Sequence, residues 1–124
     1  MRAPSIHALG VVLASGLLLT SVLTGCATTE SPEVSLTAGG SATVTISNMR
    51  FNPSILRIRA GDTVTWVFAD QGTEHGVVSN ANAQEYFESG VQSSGVYSHK
   101  FIRVGMSRYF CSEHASMGGT IIVR

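Results

Sequence analysis

Three residues whose side chains bind soft metal ions lie within seven positions of the 124-residue chain. They are Cys111, His114 and Met117, in the segment Cys-Ser-Glu-His-Ala-Ser-Met. Each alone has an ordinary explanation, because a single cysteine or methionine is usually buried filler and Cys-x-x-His is only half of a zinc site. A thiolate, imidazoles and a thioether together suit copper, with two histidines and a cysteine in a plane and methionine as weak axial ligand. We therefore predict one copper ion at this loop.

The second imidazole must come from elsewhere in the chain, and after residue 25 the candidates are His75 and His99. His75 lies in the segment Gly-Thr-Glu-His-Gly-Val-Val, at the start of a predicted strand. His99 lies inside an alternating strand segment, away from the strand ends where loops meet. We predict that His75 is a ligand and that His99 has a structural role.

The elements that position these residues are predicted to be strands. The sequence after residue 25 contains two leucines and one lysine, and no window keeps a helical apolar period. About seven short segments instead carry strand patterns: 43–47, 56–59, 63–68, 77–78, 97–101, 108–111 and 120–123. Such short strands at intervals of roughly 8–12 residues predict an all-β fold, an antiparallel Greek-key β-sandwich. The segment 80–95 is the least regular.

The N-terminal region has a different composition. Residues 1–25 hold 14 hydrophobic residues and one charged residue, Arg2. They end in Leu-Thr-Gly before Cys26, which resembles the lipobox of bacterial lipoproteins. We predict a signal peptide at 1–25, lipidated Cys26 with a flexible linker at 26–41, and a copper-binding domain at 42–124. The alternatives are an ordinary signal peptide with an incidental cysteine, or a permanent membrane span.

Charge and cysteine content narrow the class of protein further. Without Arg2 the chain has 7 basic and 8 acidic residues, which argues against nucleic acid as a partner. Lipidation of Cys26 would leave Cys111 unpaired, and an unpaired cysteine in an exported protein suggests a metal ligand or a reactive thiol. We predict an exported monomer, anchored by lipid to the periplasmic or extracellular face of the cell membrane.

Residues 42–124 resemble the cupredoxins, the type 1 blue copper proteins such as plastocyanin and amicyanin. The segments that carry this resemblance are Phe51-Asn52-Pro53, Ala60-Gly61-Asp62-Thr63-Val64-Thr65-Trp66, His75, Tyr97-Ser98-His99-Lys100-Phe101, Gly105, Tyr109-Phe110-Cys111, His114 and Met117. The resemblance implies one type 1 copper, with His75, Cys111 and His114 as equatorial ligands and Met117 as axial ligand.

The resemblance also implies a function and a docking surface. Cupredoxins transfer single electrons, and a transient redox partner would dock near His114, on an apolar patch to which Ala115, Met117 and Gly118 are suited. Gly76 departs from the family, which usually has asparagine after the first ligand histidine. The backbone N–H of Gly76 can still point at the Cys111 sulfur, but the side-chain bridge toward the second loop is missing.

Four protein ligands would leave copper no open position for a substrate, so we predict that the protein is not an enzyme. Two other functions remain open. The protein could carry or store copper for a partner, or it could be an interaction module that no longer binds metal.

Overall fold

The structure, a computed structural model, describes residues 39–124. The predicted signal peptide, Cys26 and most of the predicted linker lie outside these residues. The first strand begins at Ser41, one residue before the predicted start of the domain. Within residues 39–124, no helix is long and apolar enough to cross a membrane.

The described residues form nine strands in two sheets, which confirms the predicted all-β sandwich. One sheet has four strands in the order β2-β1-β4-β7, and the other has five in the order β3-β9-β8-β5-β6. The strands are β1 (Ser41–Ser47), β2 (Arg50–Asn52), β3 (Ile55–Ile58), β4 (Thr63–Phe68), β5 (His75–Ser79), β6 (Glu88–Gln92), β7 (Gly95–Lys100), β8 (Gly105–Phe110) and β9 (Gly118–Val123).

The sheets are mixed, whereas the sequence pattern suggested antiparallel pairing throughout. β1 pairs with β4 in parallel, and β3 pairs with β9 in parallel. The reason is that β2 and β3 follow each other along the chain and both run opposite to β1, but β2 belongs to the four-stranded sheet and β3 to the five-stranded sheet. β4 therefore starts at the same end of the sandwich as β1 and lies beside it in the same direction. The remaining strand pairs are antiparallel.

The sandwich has two ends, which we call the site end and the linker end. At the site end, β8 and β9 are joined by loop 111–117, near the start of β5. At the linker end, the chain enters the fold through Gly40, whose carbonyl accepts the Thr63 N–H at 3.0 Å. The β3–β4 turn at 59–62, loop 101–104 and Arg124 lie at this same end, joined by backbone hydrogen bonds.

Aromatic packing holds the two sheets together. The indole of Trp66 on β4 lies 5.5 Å from the Tyr109 ring on β8 and 5.6 Å from the Phe87 ring, measured between centroids. Phe87 follows a series of turns and is buried just before β6 begins. Alternating residues of β1 and β4, including Val44 and Val64, complete this core, as their period-two pattern predicted.

Candidate metal centre

Two backbone hydrogen bonds within the β8–β9 loop fold it back on itself. The Cys111 N–H donates to the Met117 carbonyl at 2.9 Å, and the Met117 N–H donates to the His114 carbonyl at 3.0 Å. The first bond closes the base of the loop and the second forms a turn over residues 114–117, so the backbones of the three predicted ligands lie close together. Cys111 and Met117 are buried, while His114 is partly exposed.

The structure brings His75 to this loop from β5. The Sγ atom of Cys111 lies 3.6 Å from Nδ1 of His75 and 3.5 Å from Nδ1 of His114. The three donor atoms are all within 4.8 Å of one another. Ligands bonded at about 2.0–2.3 Å to one ion in a trigonal plane are about 3.5–4 Å apart. Both sulfur–nitrogen distances match this range and the two nitrogens lie within 4.8 Å of each other, so the three donors are placed to hold one copper ion.

Asp70 fixes the His75 ring, and sequence reasoning missed this residue. Its Oδ2 accepts a hydrogen bond from Nε2 of His75 at 2.8 Å, which leaves Nδ1 free toward Cys111. The same carboxylate accepts the backbone N–H groups of Asn48 and Met49 at 2.9 and 3.0 Å. The Met49 N–H and the His75 ring lower the pKa of Asp70. An acidic residue five positions before a ligand histidine was the only available signal.

Gly76 contacts the cysteine sulfur through its backbone, as expected. Its N–H points at Sγ of Cys111 at a distance of 3.5 Å. A Cβ atom at position 76 would lie 2.2 Å from Oγ of Ser112, so this hydroxyl occupies the space that a side chain would need. Ser112 instead donates a hydrogen bond to Glu113 at 3.1 Å. The two loops are therefore joined by close contact with a glycine rather than by a side-chain bridge.

His99 lies outside the donor cluster. Its Nε2 is 3.1 Å from a carboxylate oxygen of Glu85, and its ring packs against Phe87 and Phe101. Partial burial acts to raise the pKa of Glu85. Hydrogen bonds from His99 and from the N–H groups of loop 101–104 outweigh burial, and the net result is a lowered pKa. His99 thus helps to anchor the segment before β6 to β7.

The surface around His114 differs from the expected apolar patch in one respect. Met117 is only 4% exposed, because it points into the core instead of contributing to the surface. The exposed residues next to His114 in the loop are Glu113, Ala115 and Ser116. Ala115 is thus the one apolar side chain among them.

Comparison with known proteins identifies the family. Residues 38–124 match the family described as copper binding proteins, plastocyanin/azurin family. Plastocyanin from Scenedesmus fuscus is 40% identical over 88 residues, which cover 60% of this chain and 86% of that protein. A reduced mutant of amicyanin aligns with a TM-score of 0.61 and 26% identity, over 71% of this chain and 86% of its own.

A copper-containing nitrite reductase from Thermus scotoductus also aligns, with a TM-score of 0.61 and 26% identity. The match covers 68% of this chain and only 22% of the nitrite reductase. The predicted cofactor, one type 1 copper, is confirmed by the family match together with the fit of the donor cluster. The chain belongs to the plastocyanin/azurin family of copper-binding proteins.

Proposed function

We propose that this protein transfers single electrons through one copper ion held by His75, Cys111, His114 and Met117. The observation that carries the proposal is the cluster of one thiolate and two imidazoles with donor atoms within 4.8 Å of one another. Bound copper would supply the one-electron chemistry, by alternating between Cu(I) and Cu(II). Plastocyanin and amicyanin, to which the chain is similar, support this assignment.

One side chain and one backbone group would keep the ligands of bound copper in place. Asp70 holds the His75 ring, and the Gly76 N–H holds the Cys111 sulfur. Both ligands are essentially inaccessible to solvent, with 0% and 1% exposure. Buried and hydrogen-bonded ligands have little freedom to rearrange, so the energy needed to reorganise the site upon electron transfer is small. His114 is the partly exposed member of the three-donor cluster, so electrons would enter or leave through its ring.

We propose further that the protein is not an enzyme. With Met117 as fourth ligand, copper would have no open position at which to bind a substrate. The nitrite reductase does not change this, because the matched part is 22% of that chain.

The alternative, a copper carrier or storage protein, is less well supported. Transfer of a metal to another protein proceeds by exchange of ligands, which requires accessible donor atoms. Burial of Cys111 and His75 opposes such exchange. Residues 27–41 also contain neither methionine nor histidine that could pass copper on.

The lipobox-like sequence supports a location outside the cytoplasm. We propose that the protein is exported, anchored to the membrane by lipid at Cys26, and monomeric. Its redox partner would dock transiently over the exposed edge of His114, with a contact at the small end of protein interfaces, below about 1,200 Å².

Copper loading tests the central proposal. The protein with added Cu(II) should bind one copper per chain and show an intense thiolate-to-copper band in the visible spectrum, which ascorbate bleaches reversibly. Cys111→Ser should abolish the band, whereas His99→Gln should keep it, because His99 lies outside the donor cluster. A colourless wild-type protein, or two copper ions per chain, would contradict the proposal.

A further inference from the structure

Loop 101–104 at the linker end exposes two large aliphatic side chains. Ile102 is 65% exposed and Val104 is 64% exposed. Lys100 and Arg103, on either side of Ile102, are exposed as well. Neighbouring aliphatic side chains exposed in this way mark an interaction site more often than single exposed residues do.

The surface around this loop is positively charged. Backbone hydrogen bonds join Gly61 to Phe101 at 2.6 Å and Ala60 to Arg124 at 3.0 Å, so the β3–β4 turn and the end of β9 lie beside the loop. This arrangement adds two more exposed basic residues, Arg59 and Arg124, to Lys100 and Arg103.

The acidic side chains that contact this turn and loop do not cancel the charge at the surface. Asp62 is 0% exposed and accepts the backbone N–H groups of Gly40 and Arg59. The Glu85 side chain is 9% exposed and is engaged with His99 and the backbone of loop 101–104. The basic side chains face solvent while these carboxylates are turned inward.

The linker enters the domain at this same end. Gly40 binds Thr63 and Asp62 by backbone and side-chain hydrogen bonds. Residues 27–38 separate the proposed lipid on Cys26 from the first described residue, Gly39. As the flexible linker predicted from the sequence, these twelve residues would have a root-mean-square span of about 20 Å and reach at most about 45 Å. The lipid would thus hold the linker end close to the bilayer.

We propose that the linker end rests on an anionic lipid surface. Ile102 and Val104 would enter the headgroup region, and the four exposed basic residues, Arg59, Lys100, Arg103 and Arg124, would lie against lipid phosphates. One lipid anchor and a basic patch are the two signals that together give stable membrane attachment. β8 runs from the linker end to the site end. It spans the six residues from Gly105 to Phe110, about 20 Å at 3.4 Å per residue, so the site end would face away from the bilayer at about this distance. The inference rests on the anchor proposed above, and it directs His114 toward soluble partners.

A tryptophan reporter tests this orientation, because the only native tryptophan, Trp66, is 0% exposed. The full chain is expressed in a bacterium, purified from membranes and reconstituted in vesicles of phosphatidylcholine, with or without about 30% phosphatidylglycerol. Bromine on the lipid acyl chains quenches tryptophan at the membrane. Val104→Trp should be quenched in the anionic vesicles. Val96→Trp, its matched control at an exposed position near the site end of β7, should not.

A charge change provides the second arm. Adding Lys100→Glu and Arg103→Glu to Val104→Trp should reduce quenching to its level in neutral vesicles. High salt should reduce quenching in the same way when Val104→Trp is the only substitution. A retained blue copper band shows that each variant is folded. Lipidation is read separately by mass spectrometry, and membrane attachment by flotation with the vesicles.

These separate readouts distinguish the possible failures. Lipidated protein that floats with vesicles but shows equal quenching in the two tryptophan variants would overturn the orientation and leave the anchor intact. Protein without lipid that neither floats nor is quenched would overturn both. A blue shift of the Val104→Trp emission that grows with protein concentration without vesicles would indicate contact with a second copy, and would also overturn the inference.

Discussion

Asp70 links the orientation of His75, a predicted copper ligand, to the conformation of the turn at Asn48 and Met49. Its carboxylate binds Nε2 of His75 at 2.8 Å and the backbone N–H groups of Asn48 and Met49. Both of these turn residues have positive φ angles, 51° and 59°, and the carboxylate stabilises the turn that they form. The same anion raises the electron density of the imidazole, since a hydrogen-bonded carboxylate makes a ligand histidine more basic.

We therefore expect Asp70→Asn to weaken Cu(II) binding about 10–100-fold, the effect typical of removing such a partner. The reduction potential should rise, because a less basic ligand and the lost negative charge destabilise Cu(II) more than Cu(I). Metal titration and voltammetry measure the two effects. Glu74→Gln removes an equal charge from an exposed residue next to His75 and serves as the control. Equal changes in the two variants would mean that charge alone, and not the hydrogen bond, is responsible.

At the scale of elements, the buried ring of Phe87 packs the segment before β6 against the core. Phe87 stacks on Trp66 at 5.6 Å and meets Phe101 edge to face at 5.2 Å, so it joins residues of β4 and of the chain after β7. Its backbone N–H donates to Oγ of Ser79 on β5. The segment thus depends on tertiary packing and not on a repeating pattern of its own.

Phe87→Ala should reduce the free energy of unfolding by about 3–5 kcal/mol, the usual cost of removing a buried phenylalanine. Urea denaturation of the copper-free protein measures this value. The neighbouring Tyr86 is 73% exposed. Tyr86→Ala should therefore change the free energy of unfolding by no more than about 0.5 kcal/mol. A small effect of Phe87→Ala would show that the segment packs independently of the core.

At the scale of the whole molecule, we propose separate roles for the site end and the linker end. The site end presents His114 beside exposed Ala115 and two exposed carboxylates, Glu74 and Glu113. Two copies that exchange electrons through His114 would therefore bring like charges together, and an additional negative charge there should increase the repulsion.

Ala115→Glu should slow electron exchange between the Cu(I) and Cu(II) forms by at least about tenfold at low ionic strength, with partial recovery at high salt. NMR line broadening measures the exchange rate. Val104→Glu adds the same charge at the linker end and should leave the rate unchanged. An equal slowing in both variants would place the electron route elsewhere.

Attachment to the membrane is the second property that we propose for the whole molecule. Expressed in a bacterium with its own leader, Cys26→Ser should leave an uncleaved or mislocalised precursor, because the serine side chain provides no sulfur for lipid. Cell fractionation and mass spectrometry follow the product. A mutant that matures normally into soluble protein indistinguishable from wild type would show that the lipobox interpretation is wrong.

The spacing of residues in the sequence was sufficient to predict part of the fold and part of the candidate site. Period-two alternation predicted the buried faces of β1 and β4, because side chains of a strand alternate between its two faces whatever its neighbours are. The closeness of Cys111, His114 and Met117 was also predictable, since a seven-residue loop between paired strands cannot separate them far. Soft donors in such a loop indicated copper from their chemistry alone.

Long-range arrangement was decided only by the tertiary structure. The parallel pairing of β1 with β4 depends on where the chain crosses between sheets, and alternation carries no information about that crossing. Asp70 could not be identified because its role depends on two partners, the His75 ring and a turn more than twenty residues earlier in the chain. The separation of the basic linker end from the site end likewise arises from strand direction. Sequence spacing determines which residues share a face, and the packing of the sheets determines which faces and ends meet.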